Sequence, residues 1–281
     1  MLRAGIAQTD CVLGDIQKNL RRHMDFIREA SSRKINILAF PELSLSGYLL
    51  KDSAREKALT IGELVSLFSS ADLPDIVFSL GFPERGKNRK IYNSQALLFS
   101  KSGNVTILGV QRKINLPSYG MFDEAHFFNS GENMETYATE EGIGVFTAIC
   151  EDAWHPACIL SSALKNNLPD ILIFPAASPS RSFRKENPGN IEGWKNNIIF
   201  HVNVYGSFIM NPQRTGVEDN FIFSGGSCMA GPNGDFVQAP LMEEALISMD
   251  LDLHFVCLKR QKSSVLSHSD RIILNSAQKR C

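Results

Sequence analysis

Apolar and polar positions along this chain fall into short blocks, some of them continuous apolar runs and some with three- and four-residue spacing, so strands and helices are expected to alternate. Leu2 to Gln8 is an apolar stretch suited to a strand. From Ile16 to Ser31 the residues Leu20, Met24, Ile27 and Ala30 mark one helical face, and Asp15 stands where it can cap the start. Ile35 to Phe40 is a short apolar run closed by Pro41, the pattern of a buried strand. A helix is expected near Glu63 to Ser70. Strands follow over Ile76 to Phe82, Ser94 to Phe99 and Val105 to Val110, the last two joined by a turn at Lys101-Ser102-Gly103-Asn104. Ile143 to Ile149 reads as another strand with Cys150 at its end. Ala157 to Lys165 reads as a helix, Ile171 to Phe174 as a strand stopped by Pro175, and Ile191 to Val202 as a helix. Ser207 to Leu251 is expected to form short strands broken by Gly and Pro. The sequence shows no internal repeat and no interdomain linker, so the pattern alone gives a layered α/β fold. The tail from Phe255 to Cys281 is polar and weakly periodic, an arm rather than core, although it keeps the cluster Ile272-Ile273-Leu274.

Composition narrows the function. The 281 residues are 43% hydrophobic and 21% charged, with a formal net charge of -1, so a core can form and no polyanionic partner such as nucleic acid is indicated. The start lacks a basic stretch followed by a long apolar run, and no window approaches the roughly 18 apolar residues that span a bilayer. A soluble, cytoplasmic protein without membrane contact is expected. Six cysteines, Cys11, Cys150, Cys158, Cys228, Cys257 and Cys281, are irregularly spaced without a CxxC pair. That argues against a disulfide framework and against a zinc site, and leaves room for one chemical thiol.

Three segments carry chemistry-bearing residues at expected strand ends, where α/β folds open onto ligands. In Phe40-Pro41-Glu42-Leu43-Ser44-Leu45-Ser46-Gly47-Tyr48 the carboxylate of Glu42 follows an apolar strand; taken alone, it reads as an acid at a helix start in a loop. Lys113 follows a strand and leads into Pro117-Ser118-Tyr119-Gly120-Met121-Phe122-Asp123-Glu124; alone, it reads as a surface lysine before a solvated loop. In Ile149-Cys150-Glu151-Asp152-Ala153-Trp154-His155-Pro156 a thiol meets what looks like a helix start. Backbone amides and a nearby base can activate such a thiol, while a buried inert cysteine remains the alternative.

Together, in the order Glu, Lys, Cys, these segments resemble the nitrilase superfamily of carbon–nitrogen hydrolases. Gly5-Ile6-Ala7-Gln8, Phe82-Pro83-Glu84, Tyr92-Asn93-Ser94, Phe174-Pro175-Ala176-Ala177-Ser178-Pro179 and Phe223-Ser224-Gly225-Gly226-Ser227 extend the resemblance over nearly the whole chain. It implies a four-layer αββα sandwich. It also implies Glu42 as base, Lys113 as oxyanion donor, Cys150 as nucleophile and Glu124 as a supporting carboxylate. Members of the superfamily commonly dimerise with crossing C-terminal arms. The expected organisation is therefore a hydrolase domain over 1–253 and an arm over 254–281 that contacts a partner subunit of a homodimer or higher homo-oligomer.

The residue types suit an amide. Glu42 takes the Cys150 proton, the thiolate attacks the carbonyl carbon, and Lys113 with the backbone N–H of Glu151 holds the oxyanion. No metal or cofactor is called for. Tyr48, Tyr119 and Trp154 are candidates to line the pocket, although buried aromatics are more often simply core. Ser178, Arg181 and Arg184 are further substrate-binding candidates; the two arginines either fork a substrate carboxylate or are solvated loop residues. His155 and His201 read as structural, because Glu42 supplies the base. The YGMFDE and CEDAWHP stretches look like those of the glutaminase domain of glutamine-dependent NAD synthetases, which points to glutamine. No synthetase domain follows within these residues, and Pro179-Ser180-Arg181-Ser182-Phe183, Glu192-Gly193-Trp194 and Asn211 to Asp219 look more like stand-alone amidases. The leading expectation is hydrolysis of a small linear amide or N-carbamoyl compound. The alternatives are a nitrilase, a glutaminase-type ammonia supplier for a separate synthetase, and a non-catalytic binding scaffold, which the presence of all three residues argues against.

Overall fold

A computed structural model describes residues 2–69, 71–87, 89–166, 168–182 and 188–262. In chain order the elements are β1 (Leu2–Gln8), α1 (Ile16–Ser32), β2 (Ile37–Ala39), α2 (Ala54–Lys57), α3 (Ile61–Ser69), β3 (Ile76–Arg85), β4 (Ile91–Lys101), β5 (Asn104–Arg112), α4 (Glu124–Phe127), β6 (Thr136–Ala138), β7 (Gly144–Thr147), α5 (Pro156–Asn166), β8 (Ile171–Ile173), α6 (Gly189–Tyr205), β9 (Phe208–Asn211), β10 (Thr215–Glu218), β11 (Phe221–Ser224), β12 (Cys228–Ala230), β13 (Phe236–Gln238), β14 (Ala245–Leu251) and α7 (His254–Lys262). The expected helices and strands all appear. Asp15 caps α1, its carboxylate accepting from the Lys18 N–H at 2.9 Å, and Lys101 pairs with Asn104 across the expected turn.

Strand pairing makes one six-stranded sheet in the order β14-β1-β2-β3-β4-β5, a second in the order β13-β12-β9-β8-β7-β6, and the hairpin β10-β11. Within the first sheet β1, β2 and β3 are parallel, and two antiparallel steps turn β5 to run with them. Within the second, β7, β8 and β9 are parallel.

Side-chain alternation sets the layers, because successive strand residues face opposite sides. Ile37, Ala39 and Val77 point inward to meet Ile171, Ile173, Phe208 and Met210 of the other sheet. Leu38, Phe78 and Leu80 point outward onto Leu20 and Ile27 of α1 and Leu64 and Phe68 of α3. On the far side Phe146, Leu172 and Ile209 pack against Ile159 of α5 and Trp194, Ile198 and Val202 of α6. The result is the four-layer αββα sandwich that the resemblance implies.

Two local departures bear on the site. The strand expected to run to Ile149 ends at Thr147, although its backbone continues in step, with Ala148 donating to the Ile173 carbonyl at 3.0 Å and Cys150 to the Pro175 carbonyl at 2.9 Å. Cys150 then opens a single 3-10 turn, Cys150–Trp154, rather than a long helix. After β14, α7 packs on its own sandwich. Val256 is buried, and the Arg260 guanidinium donates to the carbonyls of Tyr205, Leu168 and Pro169 at 3.1, 3.2 and 2.6 Å. The rest of the expected arm, with Ile272-Ile273-Leu274, lies outside the described residues. Among the described residues no helix is long and apolar enough to cross a membrane.

Candidate active site

The parallel strands deliver three loops to one end of the sandwich. Glu42 lies three residues beyond β2, Lys113 directly follows β5, and Cys150 lies three residues beyond β7. The Glu42 loop is pressed against β3. Leu43 takes a φ of 49°, and a Cβ on Gly81 would lie 2.1 Å from the Leu43 nitrogen, so only glycine lets the loop approach so closely. Behind the loop, His23 stacks on Phe40 with ring centroids 4.2 Å apart. Its Nδ1–H donates to the Asn19 carbonyl at 2.7 Å, so its Nε2 accepts from the Ser44 hydroxyl at 2.9 Å, and the Ser44 oxygen accepts from the Gly81 N–H at 3.3 Å.

Glu42 and Lys113 are fully buried and joined, with Nζ 2.7 Å from Oε1. Three donors hold the Glu42 carboxylate: Lys113, the Asn93 side-chain amide at 2.8 Å, and the Ala177 N–H on Oε2 at 2.9 Å. The Lys113 ammonium also donates to Glu124 Oε1 at 2.7 Å, and the Tyr48 hydroxyl donates to the same oxygen at 2.5 Å. Two carboxylates therefore share one buried cation. Burial and the charge of Glu42 push the Glu124 carboxyl up to about 7, against the pull of Lys113 and Tyr48. Burial works to lower the Lys113 ammonium, but Glu124 and Glu42 outweigh it and hold its pKa well above the ordinary lysine range.

Cys150 stands beside this cluster with φ 48°, a left-handed conformation that a non-glycine residue seldom adopts. Burial raises its thiol well above the ordinary range, the charges of Glu42 and Glu124 add to that, and Lys113 opposes them. An environment that disfavours the thiolate in this way calls for a base at the moment of attack. Its turn is anchored on both sides. Asp152 accepts from the Asn115 and Ile114 N–H groups at 2.8 and 3.2 Å, which ties it to the segment after Lys113. The Ala153 carbonyl accepts from His201 Nε2 at 2.8 Å and from the Asn197 amide at 3.1 Å, both on α6.

The remaining expected residues divide into those around the turn and those away from it. Tyr119 donates to Glu151 Oε2 at 2.9 Å. Trp154 and Arg181 line a cavity of about 370 Å³ together with Asn190, Glu192 and Trp194. The Arg181 guanidinium also lies 5.5 Å from the Phe122 ring, which brings it to the loop before Glu124. Tyr48 is buried, with its hydroxyl on Glu124. Ser178 is buried and bonded by Asn190, whose amide reaches its hydroxyl at 3.2 Å. Arg184 lies outside the described residues. Sequence reasoning missed Asn93, Asp152 and Asn197 as parts of the site. The available signal was an asparagine inside the apolar run of β4. Among the described residues no cluster of His, Cys, Asp and Glu is arranged to hold a metal ion.

Known proteins share this arrangement of chain and fold. The family model for carbon-nitrogen hydrolase matches residues 3–261. A glutamine-dependent NAD(+) synthetase of Thermotoga maritima is 30% identical over 256 residues, covering 90% of this chain and 42% of the synthetase. This chain thus spans less than half the length of that relative. An N-carbamoylputrescine amidase of Arabidopsis thaliana is 27% identical over 272 residues, covering 89% of this chain and 87% of the amidase. The crystal structure of a carbon-nitrogen hydrolase from Helicobacter pylori has the same fold, with a TM-score of 0.83 at 23% identity over 95% of this chain and 94% of that one.

Proposed function

The chain belongs to the carbon–nitrogen hydrolase family, and on that premise we propose that it hydrolyses a small linear amide or N-carbamoyl compound to an acid and ammonia through a thioester on Cys150. The observation that carries this reading is the buried Glu42–Lys113 pair at 2.7 Å, with Glu124 on the same ammonium and Cys150 close enough to feel all three charges. A disfavoured thiolate calls for a base, and Glu42 is the carboxylate held in place by three donors.

Glu42 takes the proton from Cys150 as Sγ bonds to the carbonyl carbon and the π electrons move to oxygen. Lys113 and the Glu151 N–H, which precedes the first hydrogen bond of the turn, stabilise that oxyanion. Glu42 returns the proton to the nitrogen, the C–N bond breaks, and ammonia leaves a thioester. Water then gives a proton to Glu42 while its oxygen bonds to the carbonyl carbon. Collapse breaks the C–S bond and restores the thiol. Glu124 keeps Lys113 oriented, and Trp154 and Arg181 supply walls for the substrate.

A second reading is a glutaminase that feeds ammonia to a synthetase, favoured by the 30% identity to the Thermotoga maritima protein. Ammonia release across a panel containing glutamine, N-carbamoylputrescine, simple aliphatic amides and a nitrile separates the two. Turnover confined to glutamine would favour the second reading, and release from the nitrile alone would remove both. Cys150→Ala should lower turnover of any accepted substrate by roughly a million-fold with the fold intact. Retained turnover in that variant, or an acyl adduct found by intact mass on another cysteine, would remove the assigned nucleophile.

A further inference from the structure

We propose that the buried Arg214–Glu218 pair is a positioning device for Lys113, acting through the Tyr48 loop and Glu124; the proposal rests on the assignment of Lys113 as the oxyanion donor. Both side chains are about 1% exposed, and the guanidinium contacts Glu218 Oε2 directly. Burying two charges is costly unless the geometry serves some further purpose. Here the carboxylate is used three ways. Its Oε1 accepts from the backbone N–H of Tyr48 at 2.9 Å and from that of Leu49 at 2.5 Å, and Arg214 holds its other oxygen. Gly47, with φ +80°, lets the loop close on this carboxylate, since a Cβ there would lie 2.7 Å from Glu218 Oε2.

Arg214 is itself pinned. It donates to the Cys11 carbonyl at 3.2 Å and the Thr215 carbonyl at 3.5 Å, lies 4.3 Å from the Phe223 ring, and approaches Asp10 at 3.7 Å. With its backbone fixed in this way, Tyr48 presents its hydroxyl to the Glu124 oxygen that also receives Lys113. The line of contacts therefore runs from the pair to the Tyr48 amide, the Tyr48 hydroxyl, Glu124 and the Lys113 ammonium. If the loop slackens, Tyr48 leaves that oxygen and the ammonium shifts toward Glu124. Cys150 then loses part of the positive charge that opposes its two carboxylate neighbours.

The test follows the pH dependence of Cys150 alkylation by iodoacetamide, a small amide, located by peptide mass. Glu218→Gln, Glu218→Asp and Tyr48→Phe should each move the midpoint upward by about one pH unit and slow alkylation at pH 7 about tenfold. Glu218→Asp keeps the charge and Tyr48→Phe removes only a hydroxyl, so the question stays decidable if Glu218→Gln fails to fold. The double variant Glu218→Asp with Tyr48→Phe should match the single variants, because both act along one line. As a control for lost stability, Arg260→Met, far from the loop, should lower the unfolding temperature without moving the midpoint. Unchanged profiles in folded Glu218 variants, or fully additive shifts in the double variant, would overturn the proposal. Lys113→Met separates it from the reading beneath. If only Lys113→Met moves the midpoint, the positioning device falls and the role of Lys113 stands. If neither does, both fall.

Discussion

Lys113 carries one positive charge and faces two carboxylates, Glu42 and Glu124, each 2.7 Å away and all nearly free of solvent. Removing the cation leaves two buried carboxylates without their common partner, a loss that typically costs about 3–5 kcal/mol. Lys113→Met should therefore lower urea-unfolding stability on that scale and reduce kcat roughly a hundred- to thousand-fold, the usual effect of losing one oxyanion donor. A rise in KM at unchanged kcat would instead make Lys113 a binding group. His23 gives a separate pH signature. Burial lowers its imidazole from 6.5 to about 4, against the opposing hydrogen bond to the Asn19 carbonyl. As pH falls below 6.5 the unfolded chain takes up this proton before the folded chain does. Stability is thus complete above 6.5 and is lost as pH falls through 4, by about 3 kcal/mol in total. Urea unfolding from pH 7.5 to 4.5 should show this slope, and His23→Gln should remove it. A variant with an unaltered slope would place the effect elsewhere.

At the scale of elements, each candidate residue depends on a strand end and on a neighbour that fixes the loop leaving it. The Glu42 loop depends on β3, where Gly81 accepts a hydrogen bond from Leu45 at 2.9 Å and leaves no room for a side chain. Gly81→Ala should force the loop outward, cost about 1–3 kcal/mol as overpacking does, and lower kcat more than KM changes. A variant that loses stability but keeps its kcat would show that Glu42 tolerates the shift. The Cys150 turn depends instead on α6, whose Asn197 and His201, four residues apart on one face, both reach the Ala153 carbonyl.

Across the whole molecule, the first and last of the described strands meet in the first sheet, where β1 lies between β2 and β14 and pairs with β14 from Leu2–Leu251 to Gln8–Ala245. Helix α7 follows at once and returns to the second sheet through Val256 and Arg260. Truncation after Asp252 should therefore destabilise a single chain by on the order of 3 kcal/mol, from lost apolar burial and charged hydrogen bonds. Thermal unfolding would check this, and an unchanged midpoint would mean that α7 adds nothing. Truncation after Lys262 spares α7, so light scattering on that variant is the appropriate check on the expected partner-contacting arm.

Local pattern was enough to mark the cap at Asp15 and the turn at Lys101–Asn104, because each depends on neighbours within a few positions, whereas Glu42, Lys113 and Cys150 stood out through the ordered resemblance and not through their neighbours alone. Continuous apolar runs alternating with segments of three- and four-residue spacing were also enough for a layered α/β fold, since the strands are buried on both faces and the helices on one. What needed the tertiary structure was how the polar groups pair. Glu42 meets Lys113 across 71 positions and the Ala177 amide across 135, and Glu218 meets the Tyr48 amide across 170. Nothing in the spacing of Tyr48 distinguishes a pocket wall from a donor to Glu124, and nothing around Gly81 signals the loop that lies on it. Buried polar groups must find partners wherever the chain brings them. That pairing is set by how two sheets stack and by which strand ends face one another, a property of the folded sandwich rather than of any segment within it.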